Sequence, residues 1–124
     1  MTVHVAYVDD EPDIREVAAL ALGLDPEIES RTCASGAELL ALMQTWRPDV
    51  ILLDVMMPGM DGPATLGALR REHPPLAAIP VIFITARTQA HEVERFTALG
   101  AAGVITKPFD PMTLAQTARS FVPK

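Results

Sequence analysis

Five side chains in this sequence could do chemistry together. Asp9 and Asp10 close the run Val3-His4-Val5-Ala6-Tyr7-Val8, Asp54 closes Val50-Ile51-Leu52-Leu53, Thr85 closes Val81-Ile82-Phe83-Ile84, and Lys107 closes Gly103-Val104-Ile105-Thr106. Each stands where a β-forming run gives way to helix-start or turn residues, such as Glu11-Pro12, Pro58-Gly59 and Pro108. Carboxylates gathered in one place repel, and the usual relief is a hard divalent cation with oxygen ligands. Mg²⁺ takes one or two carboxylates, keeps several waters and commonly joins a phosphate. Lys107 adds an ammonium and Thr85 a hydroxyl, both suited to phosphoryl oxygens. With the incoming charge neutralised, the Asp54 carboxylate can act as a nucleophile and become an aspartyl phosphate.

Such a site needs a scaffold that brings distant strand ends to one edge. The chain reads as five βα units. After the first strand, Ile14, Val17, Ala18, Ala21 and Leu22 recur at helical spacing up to Gly23. Glu29 to Cys33 is a short second strand, and Ser35-Gly36-Ala37-Glu38 has the spacing of a capping box, opening a helix that Arg47-Pro48 ends. Val50 to Leu53 reads as a central strand buried on both faces. A third helix covers about Pro63 to Arg71, and Pro74-Pro75 and Pro80 bracket a stiff connection to the fourth strand. Val93, Phe96, Thr97 and Gly100 mark the fourth helix. Asp110 as cap and Pro111 at the first helical position open the last one, with Leu114, Ala118, Phe121 and Val122 on one face. Alternating strands and helices imply an α/β fold, a parallel sheet with helices on both sides. In such sheets ligands bind at the carboxyl edge. Four of the five strand ends then converge there with complementary groups.

Composition narrows the function classes. The 124 residues carry a net charge of −6, which argues against direct nucleic-acid binding and for cations or basic partner surfaces. No apolar run reaches the roughly 20 residues of a membrane span, so membrane insertion is not expected, nor is a signal peptide. The single Cys33 suits a reducing cytoplasm. The ten basic residues are eight arginines and two lysines, and one lysine is the terminal Lys124; position 107 therefore holds a compact ammonium in a chain that otherwise uses arginine. Length predicts one domain over residues 1–124.

Taken singly, the signals have ordinary explanations. Asp-Asp-Glu before a helix favours the positive end of the helix dipole, a strand-end threonine is usually structural, and Lys-Pro is by default a surface turn. His4, His73 and His91 lack metal-ligand spacing, Met56, Met57 and Met60 read as gap-fillers, Trp46 as an anchor for the second helix, and Glu11 as a cap charge. Convergence is what favours the chemical reading.

Val8-Asp9-Asp10-Glu11, Leu52-Leu53-Asp54-Val55-Met56-Met57-Pro58-Gly59-Met60-Asp61-Gly62, Ile84-Thr85-Ala86 and Thr106-Lys107-Pro108-Phe109 resemble the receiver domain of bacterial two-component response regulators, over the whole chain. The resemblance implies a doubly wound, flavodoxin-like (βα)5 fold with strand order 2-1-3-4-5. It implies Asp54 as phosphoacceptor from a histidine kinase or histidine phosphotransfer protein. Asp10, Asp54 and the Met56 backbone carbonyl would bind Mg²⁺, with Asp9 assisting through water. Thr85 would be the switch hydroxyl and Lys107 the phosphate contact, and the Lys107-Pro108 bond would be cis. Output would pass to a protein target through the face of the fourth helix, fifth strand and fifth helix, including Gln89, Glu92, Arg95 and Val104, with room for a phosphorylation-dependent dimer.

The chain departs from the family at Val104, where an aromatic residue usually stands. A β-branched side chain has little rotameric travel, so the usual threonine-to-aromatic coupling is not expected here. Met56 and Arg87 flank the phosphate position and are expected to slow its hydrolysis. Two rivals are a phosphorylation-independent binding module of the same fold and an aspartate-nucleophile phosphatase of the haloacid-dehalogenase type. The latter wants a second carboxylate two residues after the nucleophile, where this chain has Met56.

Overall fold

The structure, a computed structural model, describes residues 2–72 and 78–123. His73, Pro74-Pro75 and Lys124 lie outside the described residues. Five strands, β1 (Val3–Val8), β2 (Ile28–Cys33), β3 (Val50–Asp54), β4 (Val81–Thr85) and β5 (Gly103–Thr106), alternate with five helices, α1 (Pro12–Leu22), α2 (Gly36–Leu42), α3 (Gly62–Glu72), α4 (Ala90–Ala98) and α5 (Leu114–Ser120). All strand pairs are parallel, in the order β2-β1-β3-β4-β5. This is the flavodoxin-like order the resemblance implied.

The period-two alternation of each strand divides the core in two. Ala6, Val8, Ile51, Leu53, Val81 and Phe83 face α2, α3 and α4, meeting Leu39, Leu66, Leu69 and Phe96. Val5, Tyr7, Val50, Leu52, Ile82 and Ile84 face α1 and α5, meeting Ala18, Leu22, Leu114 and Ala118. β3 and β4 are therefore apolar at nearly every position, as burial on both faces requires. No helix among the described residues is long and apolar enough to cross a membrane.

Two helix ends differ from expectation. The Ser35 hydroxyl accepts from the Glu38 N–H at 3.1 Å, as the capping box requires, but α2 stops at Leu42 rather than running to Arg47-Pro48. The chain tightens there into three-residue turns, Gln44 N to Ala41 O and Thr45 N to Leu42 O. Trp46 lies just past the helix, its N–H still bonded to the Leu42 carbonyl at 2.9 Å, with its ring edge-on to His4 at 5.7 Å and beneath the Arg31 guanidinium at 5.0 Å. At the other end of the chain, the Asp110 carboxylate accepts from the Met112 N–H at 2.9 Å, closing a separate turn over residues 111–113, so α5 proper begins at Leu114. Composition marked these helices well, but side-chain competition for backbone groups moved their ends.

Gly62 opens α3 directly beneath the end of β3. A Cβ there would lie 2.8 Å from the Asp54 carbonyl oxygen and 2.9 Å from the Val55 Cα, both backbone atoms that cannot swing away. Gly62→Ala should cost about 1–3 kcal/mol through this overlap, read as a lower urea midpoint. An unchanged midpoint would show that the loop relaxes freely.

Candidate functional site

Alternation along the strands also decides which chemical groups meet. Asp9 continues the series Val3, Val5, Tyr7; Asp54 continues Val50, Leu52; Lys107 continues from Ile105. All belong to the α1/α5 face at the carboxyl edge. Thr85 continues Val81 and Phe83 and belongs to the opposite, α4 face. Lys107 can therefore reach the acids directly, while Thr85 approaches the same edge from the other side.

The Lys107 Nζ stands 3.1 Å from Asp9 Oδ2, 3.4 Å from Glu11 Oε1 and 3.5 Å from Asp54 Oδ2. Asp9, Asp10 and Asp54 each offer a carboxylate oxygen within 4.8 Å of the others. Asp9 has no solvent exposure and its oxygens are engaged: Oδ2 accepts from the Tyr7 hydroxyl at 3.1 Å and Oδ1 from the Glu11 N–H at 3.0 Å. Asp54 is 3% exposed, with Lys107 and the Met56 N–H as its partners. Burial first, and then the neighbouring Asp9 charge, push its carboxyl up to about 6, against the pull of Lys107 and the Met56 N–H. Burial works to lower the Lys107 ammonium, but its hydrogen bond to Asp9 and the charges of Asp54, Asp9 and Glu11 outweigh this and raise it. The edge thus holds more negative charge than one lysine neutralises. A donor set made only of carboxylate oxygens, around a carboxyl already pushed toward its neutral form, fits a hard oxygen-seeking cation such as Mg²⁺.

The Thr85 hydroxyl accepts from the Arg87 N–H at 3.0 Å, and Thr85 lines a cavity of about 480 Å³ with Met56, Met57, Arg87, Arg95 and Phe96. The Met56 side chain is 67% exposed. Gln89 stands at the N-cap position of α4, Glu92 lies half-buried between His91 and Arg95, and Val104 packs beneath against the core. The Lys107-Pro108 bond is cis, as the resemblance implied.

Sequence reasoning passed over three contributors. Glu11, a cap charge by its place in the sequence, makes no side-chain cap bond and turns its carboxylate to Lys107. Tyr7, whose hydroxyl is driven strongly upward in pKa by burial and then by Asp9, orients the Asp9 carboxylate. Arg15 donates to the Asp9 carbonyl at 2.8 Å. The available signals were Tyr7 two residues before Asp9 on one strand face, and Arg15 one helical turn after Glu11.

A model of the response regulator receiver domain family matches residues 5–119. The chain belongs to that family. Its fold is similar to the chemotaxis protein CheY4 of Vibrio cholerae, with a TM-score of 0.87, 35% identity, and 99% of this chain and 100% of that chain covered. It is also similar to the BeF3-activated receiver domain of DrrB, with a TM-score of 0.82, 25% identity, and 100% of both chains covered. The transcriptional regulatory protein CseB of Streptomyces coelicolor is 36% identical over 117 residues, 94% of this chain and 48% of the relative. The chain thus spans about half the length of that curated relative. Receiver domains are generally phosphoacceptors served by a histidine kinase or phosphotransfer partner, and they typically use Mg²⁺. In this chain the cluster of Asp9, Asp10 and Asp54 is one that could hold such a cation.

Proposed function

We propose that this chain, as one receiver domain over residues 1–124, takes a phosphoryl group onto Asp54 from a phosphohistidine and signals by a change of surface. The observation that carries the reading is the single Lys107 ammonium set among Asp9, Glu11 and Asp54 at the carboxyl edge. An Asp54 carboxylate oxygen attacks phosphorus, an O–P bond forms, the N–P bond of the donor breaks, and its electron pair returns to the imidazole nitrogen. Asp10, Asp54 and the Met56 backbone carbonyl would hold Mg²⁺, with Asp9 assisting through water; bound there, the cation supplies positive charge to the phosphoryl oxygens. Lys107 contacts one phosphoryl oxygen and exchanges part of its pairing with Asp54 for it. Thr85 turns its hydroxyl from the Arg87 N–H, where it now accepts, to donate to another. Tyr7 and Glu11 hold Asp9 still throughout, so little reorganisation is needed.

The partners are a histidine kinase or histidine phosphotransfer protein on the input side and a protein target on the output side, at the α4-β5-α5 face with Gln89, Glu92, Arg95 and Val104. A phosphorylation-dependent dimer would use the same logic. The compartment is a reducing cytoplasm, which the lone, buried Cys33 suits. Incubation with acetyl phosphate and Mg²⁺ should add one phosphoryl mass to the protein, and chelation of the cation should prevent it. A chain that stays unlabelled by acetyl phosphate and by every phosphorylated kinase offered would overturn the reading.

Met56 and Arg87 border the path of a hydrolytic water, one apolar and exposed, the other a long cation. Replacing both with small polar residues should shorten the phosphoryl half-life about tenfold, equivalent to about 1.4 kcal/mol of barrier. A half-life that does not shorten would count against their shielding role.

A further inference from the structure

Val104 leaves the receiver without an aromatic side chain on β5 that could follow Thr85, and the packing offers another ring. We propose that Phe96 of α4 is the positioning residue that couples Thr85 to the α4 surface in this chain, an inference resting on the phosphoacceptor reading above. Phe83 and Thr85 lie two residues apart on one face of β4, and Val104 sits directly across from Phe83 in the β4–β5 register. Phe96 meets Phe83 edge to face, with centroids 5.1 Å apart and planes at 87°. It is the one buried residue of α4, at 3% exposure. Phe96 therefore carries the helix's contact with the core.

Room to move separates Phe96 from an ordinary core aromatic. Protein interiors are close-packed, and a side chain wedged on all sides has one position. Phe96 instead borders the same cavity of about 480 Å³ that Thr85, Met57 and Arg87 line. A change at Thr85 alters a wall of the space into which the ring can shift. Val104 has no comparable freedom, because its branched Cβ allows few χ1 states.

The attachments of α4 are unequal. At its C-terminal end Arg70 donates to the Gly100 carbonyl at 2.8 Å and to the Leu99 carbonyl at 3.4 Å, and the Ala102 N–H reaches the Val81 carbonyl at 2.8 Å. At its N-terminal end residues 86–91 are exposed, and Gln89 makes no side-chain cap bond. The bond from the Arg87 N–H to the Thr85 hydroxyl ties this loop to the switch. When the hydroxyl leaves Arg87 for a phosphoryl oxygen, the loop gains freedom, Phe96 repacks in the cavity, and α4 pivots about its anchored C-terminal end.

The test uses Mg²⁺ with beryllofluoride as the phosphoryl mimic, ¹⁵N-labelled protein, and a parallel sample carrying 4-fluorophenylalanine at its four phenylalanines. In the wild type, beryllofluoride should shift the Asp54 and Lys107 amides, the amides of residues 89–95 and the Phe96 fluorine line. In Phe96→Leu the Asp54 and Lys107 shifts should persist while those of residues 89–95 shrink at least about threefold; Phe96→Tyr, which keeps the ring, should restore them, and Val104→Ala should leave them intact. The relay is overturned if α4 responds fully in Phe96→Leu, if its response is lost in Val104→Ala, or if the wild-type Phe96 fluorine line does not move while Asp54 responds. The last comparison needs no substitution and holds even if a variant folds poorly. Silence at the wild-type Asp54 and Lys107 amides would instead overturn the phosphoacceptor reading itself, and the relay with it.

Discussion

Asp54→Asn should abolish phosphoryl uptake from acetyl phosphate and, in the same sample, make the cation-free protein more stable at pH 7 by about 2–3 kcal/mol. The loss of uptake follows from removing the nucleophilic oxygen. The gain in stability follows from the electrostatics of the edge. Burial and the Asp9 charge raise the Asp54 carboxyl to about 6 from an ordinary 3.8. Between those values the folded chain holds a proton that the unfolded chain has released. Stability from this site is therefore full below about pH 4 and is lost as pH rises through about 6. Asparagine has the same shape and no charge to bury, and Lys107 keeps Asp9 and Glu11 as partners. Urea unfolding from pH 4 to 7.5 should show the wild type declining relative to Asp54→Asn across that window. Parallel curves would mean that Asp54 is not strained. Adding Mg²⁺ near pH 6 should release protons from the wild type and little from the variant.

Lys107→Met should act in the opposite sense on stability. Asp9 is fully buried and Asp54 nearly so, and removing the ammonium leaves both without their cation. Breaking a buried pair in this way costs about 3–5 kcal/mol, reduced here because Lys107 is itself 20% exposed and water can enter. A loss of about 2–3 kcal/mol is expected, together with an on-order hundredfold fall in the rate of phosphoryl uptake, since one preorganised positive charge is gone from the transferring group. Mg²⁺ should then raise the melting temperature of Lys107→Met by more than it raises that of the wild type, because the cation becomes the only relief for the acids. Equal increments would show that Lys107 and the cation do not share the same charge.

Much of this protein was readable along the chain. The order and type of all ten elements, the burial of β3 and β4 on both faces and the chemical identity of each strand end are local properties. They depend on apolar period, on Pro and Gly punctuation and on residue type. Helix ends were less readable, because Asp110 could cap α5 itself or a preceding turn, and only the competition among nearby backbone N–H groups decides. Glu11 posed the same difficulty: a carboxylate at a helix start is equally suited to the dipole and to a lysine 96 residues away.

The sequence by itself determined that acids, a hydroxyl and one ammonium end four of the five strands of a parallel α/β sheet, since strand alternation and turn chemistry are written in neighbouring residues. Only the tertiary structure decided how those ends meet. Lateral strand order brought Lys107 within 3.5 Å of Asp54, and pleat parity put Asp9, Asp54 and Lys107 on one face with Thr85 on the other. Burial of Asp54 beside Asp9, the hold of Tyr7 on that acid and the meeting of Phe96 with Phe83 beside an open cavity are likewise consequences of packing. Charge strain and freedom of movement depend on distances between groups far apart in the chain, and those distances exist only once both layers of helices have closed on the sheet.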